Sequence, residues 1–222
     1  GDLSEKGKHY FESSSHQVKS KTMRMFYATS VAQYAATGKE SYIPRFADVK
    51  TAFLVRKKQA TDAKVWMLYP EWSDGLLPDR AGPTCGLLKK NLYGAADGSR
   101  LYEREWLEFI YSIGAQPTNS DRMCFTWEWD GKSIDPMVGD MPCAGGETPS
   151  GKHELTVCTH VDDTVYGGGS DEVCDEFYRR MVQHFGECVG NTRAEFVLGL
   201  KVTWDLEKKT CTLSQRAHCE KI

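Results

Sequence analysis

A chain of 222 residues with 40% hydrophobic and 27% charged side chains has the composition of a globular domain, not of a disordered tail or a membrane bundle. No apolar run approaches the roughly 18 residues that span a bilayer, and the opening GDLSEKGKHY lacks the apolar core of a signal peptide, so an intracellular chain is expected, not a secreted one. A net charge of -3 does not announce a nucleic-acid binder, and eight cysteines without a CxxC pair argue against a zinc site or disulfide framework.

In chain order, Met23, Phe26, Tyr27, Ser30, Val31 and Tyr34 fall at helical spacing and predict a helix over 23–35, stopped by Gly38. A strand over 42–49 carries Asp48 at its end and leads into a turn through Phe53 and Leu54. A second strand over 64–69 precedes a Gly/Pro-rich loop, 73–84. Tyr102, Trp106, Phe109, Ile110 and Ile113 predict a helix over 99–113 before Gly114. Alternation at Met123, Phe125, Trp127 and Trp129 predicts a strand with one aromatic face, followed by a loop insertion over 130–152.

Next comes a hairpin. Leu155, Val157, Thr159 and Val161 alternate, Asp162 and Asp163 sit at the tip, and Thr164 to Tyr166 return toward Gly167, Gly168 and Gly169. Ser170 caps a helix to Phe185, and two strands, 195–204 and 210–214, close the chain around Glu207, Lys208 and Lys209. Strand, helix, strand, hairpin, helix, strand fits an α+β fold in which a split βαβ sheet carries helices on one face.

The three carboxylates are the most informative residues. An Asp-Asp at a hairpin tip is ordinarily a turn, because Asp bonds its own backbone there, and Asp48 alone could cap a helical turn. The predicted topology brings Asp48 toward Asp162, however, and clustered carboxylates repel unless cations lie between them. Oxygen ligands with room for a phosphate suit Mg²⁺, and two such ions serve in-line nucleotidyl transfer. Basic clusters at Lys19, Lys21 and Arg24, at Arg56, Lys57 and Lys58, at Lys89 and Lys90, and at Arg100 and Arg104 read as solvated faces unless the fold gathers them around one cleft.

The segments DVKTAFL (48–54), CGLLKKNLYG (85–94), EWLEFIYSIGAQPTNSDRMCF (105–125), HVDD (160–163) and FVLGLKVTWDLEKKTCTLSQ (196–215) stand in one order. Over nearly its whole length the chain resembles the reverse transcriptase domain of copia-type LTR retrotransposons. The resemblance implies a right-hand polymerase palm built on a ferredoxin-like split βαβ sheet, with partial fingers. It divides the chain into a fingers or connecting helix (1–41), a palm (42–215) and the start of a thumb or connection (216–222).

It further implies RNA-directed DNA polymerase activity, with two Mg²⁺ or Mn²⁺ held by Asp48, Asp162 and Asp163. Phe53 would gate the sugar, with Val49 and Arg100 also at the nucleotide. Lys89, Lys90, Leu198 and Gly199 would contact nucleic acid, the last two near the primer backbone. Partners would be an RNA or DNA template-primer and a dNTP, in a cytoplasmic particle or the nucleus, with other protein chains completing the cleft where needed.

The chain departs from the family pattern in YGAADGSRLY (93–102), where Asp97 and Ser99 replace the family's Gln and Pro. An anionic Asp97 is expected to face phosphates unfavourably. The alternative reading is a domesticated or decayed retroelement fragment that serves as a non-catalytic subunit of a larger assembly.

Overall fold

The computed structural model describes residues 15–55, 62, 64–68, 85–92, 95, 97–131 and 153–219. The predicted loop 73–84, most of the loop 130–152, and Arg56, Lys57 and Lys58 lie outside them. By contact density the chain forms two compact units, Gly1–Ser15 with Thr51–Trp106, and His16–Lys50 with Leu107–Ile222.

In the second unit, helix α1 (Ser20–Thr37) buries Met23, Phe26, Tyr27, Ser30 and Tyr34, and Gly38 ends it at φ 72°, its N–H donating to Tyr34 O at 2.8 Å. A 3-10 turn (Glu40–Tyr42) leads into strand β1 (Arg45–Val49). In the first unit follow α2 (Ala52–Val55) and a two-stranded ribbon of β2 (Trp66–Leu68) and β3 (Cys85–Leu87), with Trp66 opposite Leu87. Helix α3 (Gly98–Ser112) begins in the first unit and ends in the second.

The second unit continues with β4 (Gln116–Thr118), β5 (Asp121–Trp129), β6 (His153–His160), β7 (Asp163–Gly168), α4 (Asp171–Phe185), β8 (Cys188–Arg193), β9 (Phe196–Val197), β10 (Leu200–Asp205), β11 (Thr210–Ser214) and α5 (Arg216–Cys219). Six strands form one antiparallel sheet in the order β4-β5-β6-β7-β1-β8. Strand β7 thus lies between β1 and β6, which is a split arrangement. A separate sheet runs β11-β10-β9.

One face of the six-stranded sheet is covered by α4 and the end of α3. Phe177 of α4 packs on Tyr166, Trp127 and Phe109 at ring distances of 4.9, 6.2 and 6.0 Å, and Phe185 packs on Phe109 at 5.1 Å. Such pairs add about 0.5–1.5 kcal/mol each beyond the area they bury. Ser170 caps α4 by accepting from Val173 N at 3.4 Å, and Asp171 and Glu172 favour its positive N-terminus.

Helix α1 lies on the other face, between the two sheets. Val18 N donates to Thr159 O at 3.0 Å, Tyr34 meets Trp204 edge-on at 6.4 Å, and Lys209 Nζ donates to Ala35 O at 2.9 Å near the negative end of the helix. Burial, then the thiols of Cys211 and Cys158, push the Tyr27 phenol up, as its place between β11 and β6 requires. Asp121 fixes the start of α1, accepting from Lys19 N at 2.8 Å and Thr22 Oγ1 at 2.7 Å. Helix 20–37 therefore belongs with the sheet, and a boundary at 41/42 would cut one packed unit.

The closing strands differ from the sequence expectation. The stretch 195–204 is not one strand but the hairpin β9–β10, turned at Leu198 (φ 52°) and Gly199 (φ 74°). Two successive residues at positive φ are the signature of a tight two-residue hairpin turn. The last strand of the main sheet is β8, which carries no alternating apolar pattern. No helix among the described residues is long and apolar enough to cross a membrane.

Candidate active site

Strands β6 and β7 are joined by a two-residue turn, Val161 and Asp162, with His160 and Asp163 as the pair that closes it. Val161 adopts φ 57°. A β-branched residue there costs about 1–2 kcal/mol, a strain of the kind that concentrates at functional sites. Register carries the next step, because Asp48 of β1 is the direct cross-strand partner of Asp163, at a Cα separation of about 4.5–5.5 Å for an antiparallel pair.

Alternation then sorts the faces. Arg45 reaches Asp171 and Asp175 of α4, so Arg45, Ala47 and Val49 turn toward the helices, while Phe46, Asp48, Asp163 and His160 share the opposite face. Val49, expected at the nucleotide, is 2% exposed on the helix side, so its side chain takes no part in the site.

The carboxylates feel one another. Burial, and then the charge of Asp162, raises the carboxyl of Asp48. Burial also raises Asp163, followed by Asp162 and Asp48, against a smaller opposing pull from His160. All three are half-buried. Among the described residues no three His, Cys, Asp or Glu side chains converge as a ready-made metal cage. The arrangement fits a hard cation that takes one or two carboxylates and completes its shell with water and substrate oxygens, and it does not fit one needing a closed all-protein cage.

A cavity of about 700 Å³ opens beside Asp163. Phe46 and Thr192 form part of its floor, and the β9–β10 hairpin contributes Phe196, Leu198 and Gly199, so the expected nucleic-acid contacts Leu198 and Gly199 line the same space as a carboxylate. Phe196 is exposed.

Sequence reasoning missed the strand that braces β1 from behind. Strand β8 pairs Thr192 with Phe46 and Gly190 with Ala47, leaving Asn191 as an extra residue at φ 64°. Gly190 has φ 118°, and a Cβ there would stand 2.3 Å from Phe46 O. The Asn191 side chain accepts from Arg45 Nη1 and Tyr166 Oη, each at 2.9 Å, and donates to Asp175 at 3.0 Å. The available signal was the Gly-Asn dipeptide, which inside a strand marks a bulge.

The remaining expected residues belong to the first unit. Phe53 lies in α2; its side chain is outside the described residues. Arg100 and Arg104 approach the buried Asp62 at 3.9 and 3.2 Å, and Lys89 and Lys90 are exposed. Asp97 is 3% exposed, so it is buried and not presented to phosphates as the sequence suggested.

No family model, curated protein or solved structure matches the chain.

Proposed function

We propose that the chain is the palm of an RNA-directed DNA polymerase of copia-like type, catalysing nucleotidyl transfer with two Mg²⁺ or Mn²⁺ ions. The observation that carries this reading is the pairing of Asp48 with Asp163 across β1 and β7, beside a strained turn that presents Asp162. Asp48, Asp162 and Asp163 would hold the ions, which supply charge neutralisation to both the attacking and leaving oxygens of an in-line displacement. The primer 3′-hydroxyl oxygen bonds to the α-phosphorus of a dNTP, the bond to the β-phosphate breaks, and pyrophosphate leaves.

The chain's own groups have distinct tasks. The stiff β1–β7 pairing holds two carboxylates in fixed register, so little reorganisation is needed when phosphate arrives. The β9–β10 hairpin walls the cavity beside Asp163 and offers the exposed ring of Phe196 to a sugar or base. From the family resemblance, Phe53 would exclude a 2′-hydroxyl and Arg100 would attend the nucleotide.

The second reading is a non-catalytic retroelement-derived subunit. Titration with Mn²⁺, followed by water-proton relaxation, separates the two. The catalytic reading predicts saturable binding that weakens at least about tenfold in Asp162→Asn, a loss of about 1.4 kcal/mol. Equal binding by wild type and variant would contradict it.

A further inference from the structure

We propose that Cys124 and Cys158 form a redox-sensitive cross-strand pair that closes to an intramolecular disulfide when the folded protein meets a peroxide. The two residues are direct partners in the β5–β6 ladder. Direct partners in an antiparallel ladder have Cα atoms about 4.5–5.5 Å apart, inside the range of about 4.4–6.8 Å that a disulfide spans. The sulfurs are already in contact at 3.4 Å, the Cys158 S–H donating to Cys124. Among the seven described cysteines this is the pair whose sulfurs are in hydrogen-bond contact.

The hydrogen bond also assigns the order of events. Cys124 accepts it and is 5% exposed, whereas Cys158 donates and is fully buried. The bond from Cys158 holds the Cys124 thiol below its ordinary range against the opposing effect of burial, while the same bond, and then burial, pushes Cys158 well above its own. The Cys124 sulfur attacks one peroxide oxygen, the O–O bond breaks, and water leaves a sulfenic acid on Cys124. The Cys158 sulfur then attacks that sulfur, the S–O bond breaks, and a second water carries off the remaining proton and oxygen. Two thiols lose two electrons and one peroxide gains them.

Closure draws the sulfurs from 3.4 Å to a bond of about 2.05 Å, within the Cα spacing that the ladder already provides. Two residues beyond Cys158, β6 ends at His160, the start of the acidic turn.

The test treats the folded full chain with hydrogen peroxide, blocks remaining thiols under denaturing conditions, and maps linked peptides by mass spectrometry. Two of the eight thiols should escape alkylation, with the Cys124–Cys158 peptide outnumbering any other linked pair by about tenfold, and that preference should disappear when oxidation is done in denaturant. Eight alkylated thiols, a different dominant pair, or the same preference in denaturant would each overturn the proposal. In Cys158→Ser, a dimedone adduct should form on Cys124; its absence, with the fold intact by circular dichroism, would overturn the assigned nucleophile.

Discussion

At the scale of single residues, the carboxyls of Asp48 and Asp163 ionise less readily in the folded chain than they would in the unfolded one, through burial and mutual repulsion. As pH rises, the unfolded state therefore releases these protons first. In the metal-free protein the contribution of these two groups to stability is fully present below the ordinary carboxylate range and is lost as pH climbs through their raised folded values. Asp48→Asn removes one of the repelling charges. In a chelator its denaturant midpoint should exceed that of the wild type at about pH 7, the difference should shrink in acid, and Mg²⁺ should narrow it by stabilising the wild type. A variant less stable than the wild type at neutral pH in chelator would mean that Asp48 has a favourable partner in the fold, not a site left open for cations. Val49 teaches the complementary point: neighbouring an acidic residue in a motif does not bring a side chain to the site, because strand parity sends it to the other face.

At the scale of elements, the site depends on how β8 holds β1. The bulge at Asn191 lets one side chain bond Arg45, Tyr166 and Asp175 together, and Gly190 permits the close approach of the β1 backbone. Gly190→Ala should destabilise the protein by about 2 kcal/mol or more, since it adds a Cβ against a carbonyl at a positive φ. A variant as stable as the wild type in equilibrium unfolding would contradict the bulge. The docking of α1 rests similarly on one carboxylate. Burial pushes Asp121 up, but hydrogen bonds from Thr22 and from the amides of Lys19 and Met123 win and hold it below its ordinary range. Asp121→Asn should cost about 1–3 kcal/mol, and the cost should fade as pH drops through the lowered folded value, measurable as converging denaturant midpoints.

These elements show why some parts were legible in advance and others were not. Helices α1, α3 and α4 each bury a stripe at 3.6-residue spacing between recognisable ends, so local pattern was enough. The β6–β7 hairpin announced itself by alternation around an acidic turn. Strand β8 did not, because CVGNTR contains a bulge and no buried alternation, and the break in 195–204 was hidden because Leu198 is an unfavourable residue for the conformation it adopts. Register between β1 and β7 joins residues more than a hundred positions apart, which no local pattern encodes; the predicted split βαβ topology and the resemblance carried by DVKTAFL and HVDD pointed toward it.

At the scale of the whole molecule, the second unit contains the three carboxylates, the cavity and the β9–β10 wall, while Phe53, Arg100, Lys89 and Lys90 belong to the first. The metal-dependent nucleotidyl-transfer site proposed at Asp48, Asp162 and Asp163 therefore draws its carboxylates from the second unit. Primer extension on an RNA template tests it most directly, using the full gene product that carries this chain, with Mg²⁺ or Mn²⁺ and with Asp162→Asn in parallel. Template-directed synthesis should require the divalent ion and fall on the order of 10²–10³-fold in the variant. Absence of synthesis, or synthesis undiminished by Asp162→Asn, would contradict it.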